Sequence, residues 1–208
     1  LAFALAVDLG VQAIARLVLA GVAGTASLGA YAAAFGLARA LDIVFMGVSA
    51  ALAPLVFAAY EDKGVGPARD VARGGFILLA AITVPASIGL ALLAQPIATL
   101  MVGAALRAET ALALPWLAVA GLMSGFGLYY WSEAFQLTRR TGRRALLMLA
   151  PGAVQLGLTA WLSATHGAVG AAIGAASGAS VGAVLLALAG RRLLPLPLPA
   201  GELARIIA

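Results

Sequence analysis

Two long stretches without a charged residue constrain this chain more than any other feature. Residues 74–106 and 145–190 contain no Asp, Glu, Lys or Arg. A helix needs about 20 apolar residues, rising 1.5 Å per residue, to cross a hydrocarbon core of about 30 Å. The first stretch is therefore long enough to cross a membrane, and the second is long enough to cross it twice.

Composition places the rest of the chain in the same class. Hydrophobic residues make up 63% of it and charged residues 10%, against roughly 45–50% and about 25% in soluble domains. The 25 glycines are typical of closely packed membrane helices, and the lack of cysteine excludes a disulfide scaffold. We therefore expect an all-α integral membrane protein and exclude a soluble enzyme or a nucleic-acid-binding protein.

Charges and turn residues divide the chain into six predicted transmembrane helices. Their approximate bounds are 3–25, 28–58, 70–102, 108–138, 142–164 and 168–191. Thr165–Gly167 separates the last two, and Pro85 is the expected bend in the third. Residues 1–192 thus form one six-helix bundle, and the proline-rich residues 193–208 a cytoplasmic tail or linker. Because the chain begins at Leu1 and enters an apolar stretch at once, we expect a piece of a longer protein.

The basic residues predict how the chain is oriented. Nine of them lie on one side of the six predicted helices, and only Arg107 lies on the other. The nine are Lys63, Arg69, Arg73, Arg139, Arg140, Arg143, Arg144, Arg191 and Arg192. Because Lys and Arg concentrate in cytoplasmic loops, both ends of this segment are expected to face the cytoplasm.

Polar side chains inside the first two predicted helices are the candidate cavity residues. Asp8, Gln12 and Arg16 are spaced by four and share one helix face, and Arg39 and Asp42 are three apart. At 1.5 Å per residue, Arg16 lies about 20 Å from the cytoplasmic side, and Arg39 lies about 16 Å from the opposite side, near the midplane. Both guanidinium groups can therefore face one cavity, where their planar forks suit phosphate oxygens. Alternatively, the arginines and aspartates only neutralise one another.

Three further features have competing interpretations. Glu133 follows an aromatic cluster near the cytoplasmic end of the fourth helix, where it is either an interfacial anchor or a coupling-ion or proton site. A glycine repeat in the sixth helix predicts close helix packing; it comprises Gly170, Gly174, Gly178 and Gly182. No phosphate-binding loop, metal-ligand spacing or catalytic constellation is found, so we expect no cofactor, no metal and no enzyme.

Three apolar segments carry Gly, Ala and Pro in a recognisable order. They are Gly29–Ala34 with Ala51–Leu55, then Pro85 with Leu92–Ile97, Leu100 and Gly103, and finally Gly167–Gly174. In this order and spacing they resemble the polysaccharide flippases of the multidrug/oligosaccharidyl-lipid/polysaccharide (MOP) exporter superfamily, which include the O-antigen flippases. Asp8, followed by the Gly-Ala-Tyr segment, resembles the start of the C-terminal half of such a protein.

This resemblance implies a fold and a function. The chain would be one six-helix bundle of a two-bundle transporter that moves a lipid-linked oligosaccharide across the bacterial inner membrane by alternating access, in polysaccharide or lipopolysaccharide synthesis. Its implied partners are the lipid bilayer, the lipid-linked oligosaccharide, the other six-helix half of the protein, and glycan polymerases or glycosyltransferases. Arg16 and Arg39 would attract the phosphate-bearing head of the cargo. Asp8 and Asp42 depart from this pattern because they lower the positive field.

Two alternatives to the flippase remain open. A drug/cation antiporter of the same superfamily, of the MATE type, would rely on Asp8, Asp42 and Glu133, since its cargo is cationic. A non-transporting membrane scaffold for glycan assembly would need only static pairing of the buried charges, so that removing Arg39 and Asp42 together would be harmless.

Overall fold

In the computed structural model, which describes residues 2–132 and 146–193, every regular element is a helix. Helix α1 comprises Ala2–Ala38, α2 Ala40–Lys63, α3 Val65–Leu92, α4 Ala94–Met101 and α5 Arg107–Phe126, which continues into a π-helical turn, Gly127–Trp131; α6 comprises Leu149–Leu193.

The chain reverses direction inside α1. Gly24 has φ 82° and ψ 174°, which are not helical values. Across this kink the guanidinium carbon of Arg16 lies 5.0 Å from the ring centroid of Phe35, although a straight helix would separate these residues by about 28 Å. The left-handed φ favours glycine, because a side chain there would be strained. The two limbs of α1 therefore form an antiparallel hairpin.

A second hairpin is formed within α6. Gly167 has φ 53°, and the glycines that follow it lie against progressively earlier residues. Gly170 packs on Leu162, Gly174 on Thr159 and Gly178 on Pro151. This reversed order shows that residues 149–166 and 168–193 run antiparallel in close contact. The expected break at Thr165–Gly167 and the observed reversal fall at the same position.

Four helical stretches of the described chain are long and apolar enough to cross a membrane. They are Leu9–Lys63, Val65–Leu92, Arg107–Trp131 and Leu149–Gly190. The chain is therefore an α-helical, multi-pass membrane-embedded protein. The finer expectation of six crossings depends on counting the limbs of the two hairpins separately.

Some helix bounds differ from the predicted ones. The helix expected over 28–58 is interrupted at Arg39 and extends to Lys63, and the helix expected over 70–102 begins at Val65 and is interrupted at Leu93. Helix α3 continues through Pro85, where a bend was expected. Pro96 lies in the first turn of α4. Backbone N–H groups there have no partner within the helix, so the missing N–H of proline costs no hydrogen bond. Residues 133–145 and 194–208, including the ends of two predicted helices and the tail, lie outside the described part.

Two groups of buried residues hold the helices together. One is aromatic and joins α2, α3 and α5: Phe76 lies 5.1 Å from Phe126 and 4.7 Å from Tyr130, between ring centroids. The other consists mainly of small residues from α1, α5 and α6, with Leu19, Tyr31 and Leu114 among them. Small side chains let helix backbones approach closely, which is how membrane helices gain contact area.

Candidate functional site

A cavity of about 160 Å³ opens where α1, α2, α5 and α6 meet. Its wall consists largely of small and apolar residues, including Ala38, Gly121 and Ala179. The side chains that could bind a polar or aromatic group are Gln12, Phe35, Arg39, Asp42, Ser124 and Gln155. Three of the predicted cavity residues, Gln12, Arg39 and Asp42, are thus brought together by the fold.

The two charged residues in the wall sit at the junction of α1 and α2. The backbone N–H of Arg39 donates to the carbonyl of Phe35 at 3.0 Å, and that of Asp42 donates to the carbonyl of Arg39 at 3.0 Å, only three residues back. The helix is therefore tighter at this point. Asp42 falls in the first turn of α2, where the helix dipole favours a negative charge.

Arg39 and Asp42 form an ion pair that remains accessible. Arg39 Nε lies 3.6 Å from Asp42 Oδ2, with the side chains 67% and 39% exposed. This separation is longer than a good hydrogen bond, so the contact is mainly electrostatic. Both groups keep hydrogen-bonding capacity towards the cavity.

Arg16 does not share the cavity wall with Arg39. Its guanidinium lies over the ring of Phe35, at the 5.0 Å separation of a cation–π contact. The Phe35 ring in turn stacks on Tyr31, with 6.0 Å between centroids. Arg16 therefore covers a residue that lines the cavity rather than lining the cavity itself. The side chain of Asp8 and the whole of Glu133 lie outside the described residues.

Gln155 is a cavity residue that the sequence analysis missed. It is the one amide side chain in the charge-free stretch 145–190, a signal that could have identified it. A Cβ on Gly178 would lie 2.8 Å from the Cβ of Gln155, so the glycine provides the space that Gln155 occupies. Phe35 and Ser124 were not predicted as cavity residues either, because each lies among apolar residues in the sequence and belongs to no distinctive pattern.

The four glycines of the predicted packing face lie along the α6 hairpin. A Cβ on Gly174 would lie 2.6 Å from Thr159 Oγ1, and one on Gly178 would lie 2.9 Å from the Pro151 carbonyl oxygen. Gly182 has more room, with its nearest neighbours at 3.5 Å. Gly178 and Gly182 also line the cavity, so this face both packs the hairpin and shapes the cavity.

The π-helical turn forms another part of the wall. Gly127 and Leu128 line the cavity, and the carbonyl of Gly127 accepts two bonds from Ser132. The Ser132 hydroxyl donates at 2.8 Å and the Ser132 backbone N–H at 3.1 Å. Short π-helical segments inside α-helices are frequent at functional sites.

The polar groups of the cavity wall are suited to binding. Among the described residues no group of three or more His, Asp or Glu side chains could hold a metal ion. The wall instead offers one cation, one anion, two amides, a hydroxyl and an aromatic ring. Such a set can bind a polar group within an apolar bundle.

Comparison with protein-family models, with curated proteins and with solved structures gives no match. The resemblance to the MOP exporters consequently rests on the segments of the sequence that carry it.

Proposed function

We propose that this chain is one six-helix half of a flippase that moves a lipid-linked oligosaccharide across the bacterial inner membrane by alternating access. The observation that carries the proposal is the cavity: the Arg39–Asp42 pair and two amides line it, inside an otherwise apolar bundle. Charged side chains within a membrane are costly and usually line substrate or ion pathways. The two alternatives, the cation antiporter and the non-transporting scaffold, assign different roles to the same residues.

The hairpins support six crossings. The stretch Leu9–Lys63 is 55 residues long and Leu149–Gly190 is 42, which at 1.5 Å per residue is about 80 Å and about 60 Å, well beyond one membrane thickness. Each stretch contains one reversal, so each supplies two crossings. Lys63 then lies at one end of the bundle and Arg107 at the other, as expected if both ends of the segment are cytoplasmic.

The distribution of burial supports a second bundle as partner. Only 11% of the apolar window in Leu9–Lys63 is buried within the chain, against 50% in Arg107–Trp131. The least buried stretch is also the one that carries Arg16, Arg39 and Asp42. Since exposure of such charges to lipid is unfavourable, this side is the one that the other half would cover.

Translocation in the organism that encodes the protein tests the proposal. Replacing the pair together, R39A/D42A, should leave the protein inserted but cause lipid-linked oligosaccharide to accumulate in the inner leaflet. The matched control R107A removes a charge that does not line the cavity and should translocate normally. Normal translocation by the double variant would instead favour the scaffold.

The same variants separate the flippase from an antiporter. A cation antiporter should lose export of cationic drugs in D42N and keep it in R39Q, because only the carboxylate attracts its cargo. The flippase predicts no change in drug export in either variant. Loss of drug export in D42N with normal glycan translocation would overturn the flippase proposal.

A further inference from the structure

The charges in the cavity wall balance. Among the described residues that line it, Arg39 is the one cation and Asp42 the one anion, and they lie 3.6 Å apart. The remaining polar groups, on Gln12, Ser124 and Gln155, are neutral. A cavity with this wall has no net charge with which to attract a phosphate group.

Asp42 also lies beside Arg39, where its charge would repel an approaching anion. An oxyanion approaching Arg39 would meet the Asp42 carboxylate, which is of the same sign and already within 3.6 Å of Arg39 Nε. A hydroxyl group has no such conflict, because it can donate to the carboxylate and accept from the guanidinium. The amides of Gln12 and Gln155 likewise offer both a donor and an acceptor. The wall therefore suits neutral groups that both donate and accept hydrogen bonds.

Size and shape narrow the ligand further. The cavity volume of about 160 Å³ is close to the roughly 150 Å³ of an engineered cavity that holds one benzene molecule. It therefore has room for one six-membered ring, and the open side of the cavity leaves space for the substituents of that ring. Phe35 provides a flat apolar surface for such a ring, and Arg16 and Tyr31 hold Phe35 in place by stacking.

We propose that Asp42 sets the selectivity of this cavity: by pairing with Arg39, it makes the cavity bind an uncharged, hydroxyl-bearing six-membered ring in preference to phosphate. A single sugar residue of a glycan belongs to this class. The inference rests on the proposed function, whose cargo contains both sugars and phosphate, and it assigns the cavity to the sugar.

A protection experiment tests this inference. The chain lacks cysteine, so S124C places its one thiol in the cavity wall, and any cysteine elsewhere in the full protein is replaced by serine. The full protein in glycan-free nanodiscs is labelled with an uncharged thiol reagent, in the presence of methyl pyranosides or of inorganic phosphate. At least one pyranoside should slow labelling several-fold, whereas phosphate at equal concentration should not. The control A26C, at an exposed position near the turn at Gly24, should be labelled at the same rate throughout.

Variants of the pair identify the cause of the selectivity. With S124C, D42N should reverse the order, so that phosphate protects better than any pyranoside, because Arg39 is then unopposed. D42E retains the negative charge, so pyranosides and phosphate should protect this variant as they protect the chain with Asp42. If D42N fails to fold, the comparison of pyranosides with phosphate in the S124C chain still tests whether the cavity prefers a neutral ring.

Several outcomes overturn the inference. Protection by phosphate rather than pyranosides, or by neither, would show that the cavity does not select a neutral ring. Pyranoside protection that persists unchanged in D42N would remove Asp42 from the selectivity. Failure here is distinguishable from failure of the proposed function: R39A/D42A would still block translocation if the flippase proposal holds and only the assignment of the ligand is wrong.

Discussion

The carboxylate of Glu109 accepts a 2.6 Å hydrogen bond from the backbone N–H of Ala168, 59 residues later in the chain. Ala168 begins the second limb of α6, where the first backbone N–H groups have no partner within the helix. Glu109 therefore caps this limb from the first turn of α5 and fixes the start of α5 to the reversal at Gly167. Its negative charge also complements the helix dipole.

Removing this cap should destabilise the bundle. We expect E109A to lose about 1 kcal/mol, the typical value of a helix cap, and to unfold about 2–4 °C lower, as a change of this size does in a chain of 150–250 residues. E109Q retains an acceptor oxygen and should recover most of the loss. Thermal unfolding in detergent gives the comparison, and an unchanged midpoint for E109A would mean that the contact does not stabilise the chain.

Gly125 and Gly121 should respond differently to the same substitution. A methyl group on Gly125 would overlap the ring of Phe45, which is fully buried and packs edge-on against Phe126 at 5.2 Å. We expect G125A to cost about 1–3 kcal/mol through overpacking. At Gly121 the nearest atom is 3.5 Å away, so G121A should be neutral or stabilising. Equal unfolding midpoints for the two variants would contradict the packing of Phe45 on Gly125.

The α6 hairpin offers a second matched pair. G174A places a methyl group 2.6 Å from Thr159 Oγ1 and 3.0 Å from the backbone carbonyl of Gln155. A backbone atom cannot move aside as a side chain can, so we expect the two limbs to separate and stability to fall by about 1–3 kcal/mol. G182A meets nothing closer than 3.5 Å and serves as the control. The thermal unfolding midpoint of G174A should be clearly lower than that of G182A.

The hydroxyl of Ser132 should stabilise the π-helical turn without creating it. S132A removes the 2.8 Å bond to Gly127, at a cost of about 1 kcal/mol, but the backbone bond at 3.1 Å remains. The rate of thiol labelling in S124C should therefore be unchanged by S132A. A large change in the labelling rate would show that the side chain determines the turn.

The class of fold and part of the site follow from simple sequence rules. Apolar length and the shortage of charge predict membrane helices, and the spacing of polar residues predicts that Gln12, Arg39 and Asp42 share a face or a cavity. These rules work because periodicity is a property of one helix and needs no knowledge of its neighbours.

Features that depend on neighbouring helices were not predictable in this way. Arg16 lies on Phe35 because the two limbs of α1 meet there, and spacing along one limb carries no information about that contact. The interruption at Arg39 and the π-helical turn have no strong sequence signal either, and no proline or glycine is adjacent to Arg39. The interruption at Leu93 does have a signal, because Pro96 lies in the first turn of the helix that follows it. Gln155 lines the cavity in the space that Gly178 leaves free, and this contact between two limbs of a hairpin cannot be derived from the spacing along one limb.

Gly182 gives this architecture a way to change over evolutionary time. It lines the cavity, yet its nearest neighbours, in Pro151, lie at an ordinary contact distance of 3.5 Å. A descendant sequence could therefore acquire alanine there and narrow the binding space by one methyl group while the hairpin stays intact. Gly174, two turns earlier and pressed against backbone, could not follow the same path. Related proteins can thus differ in the size of this cavity while the scaffold around it is inherited unchanged.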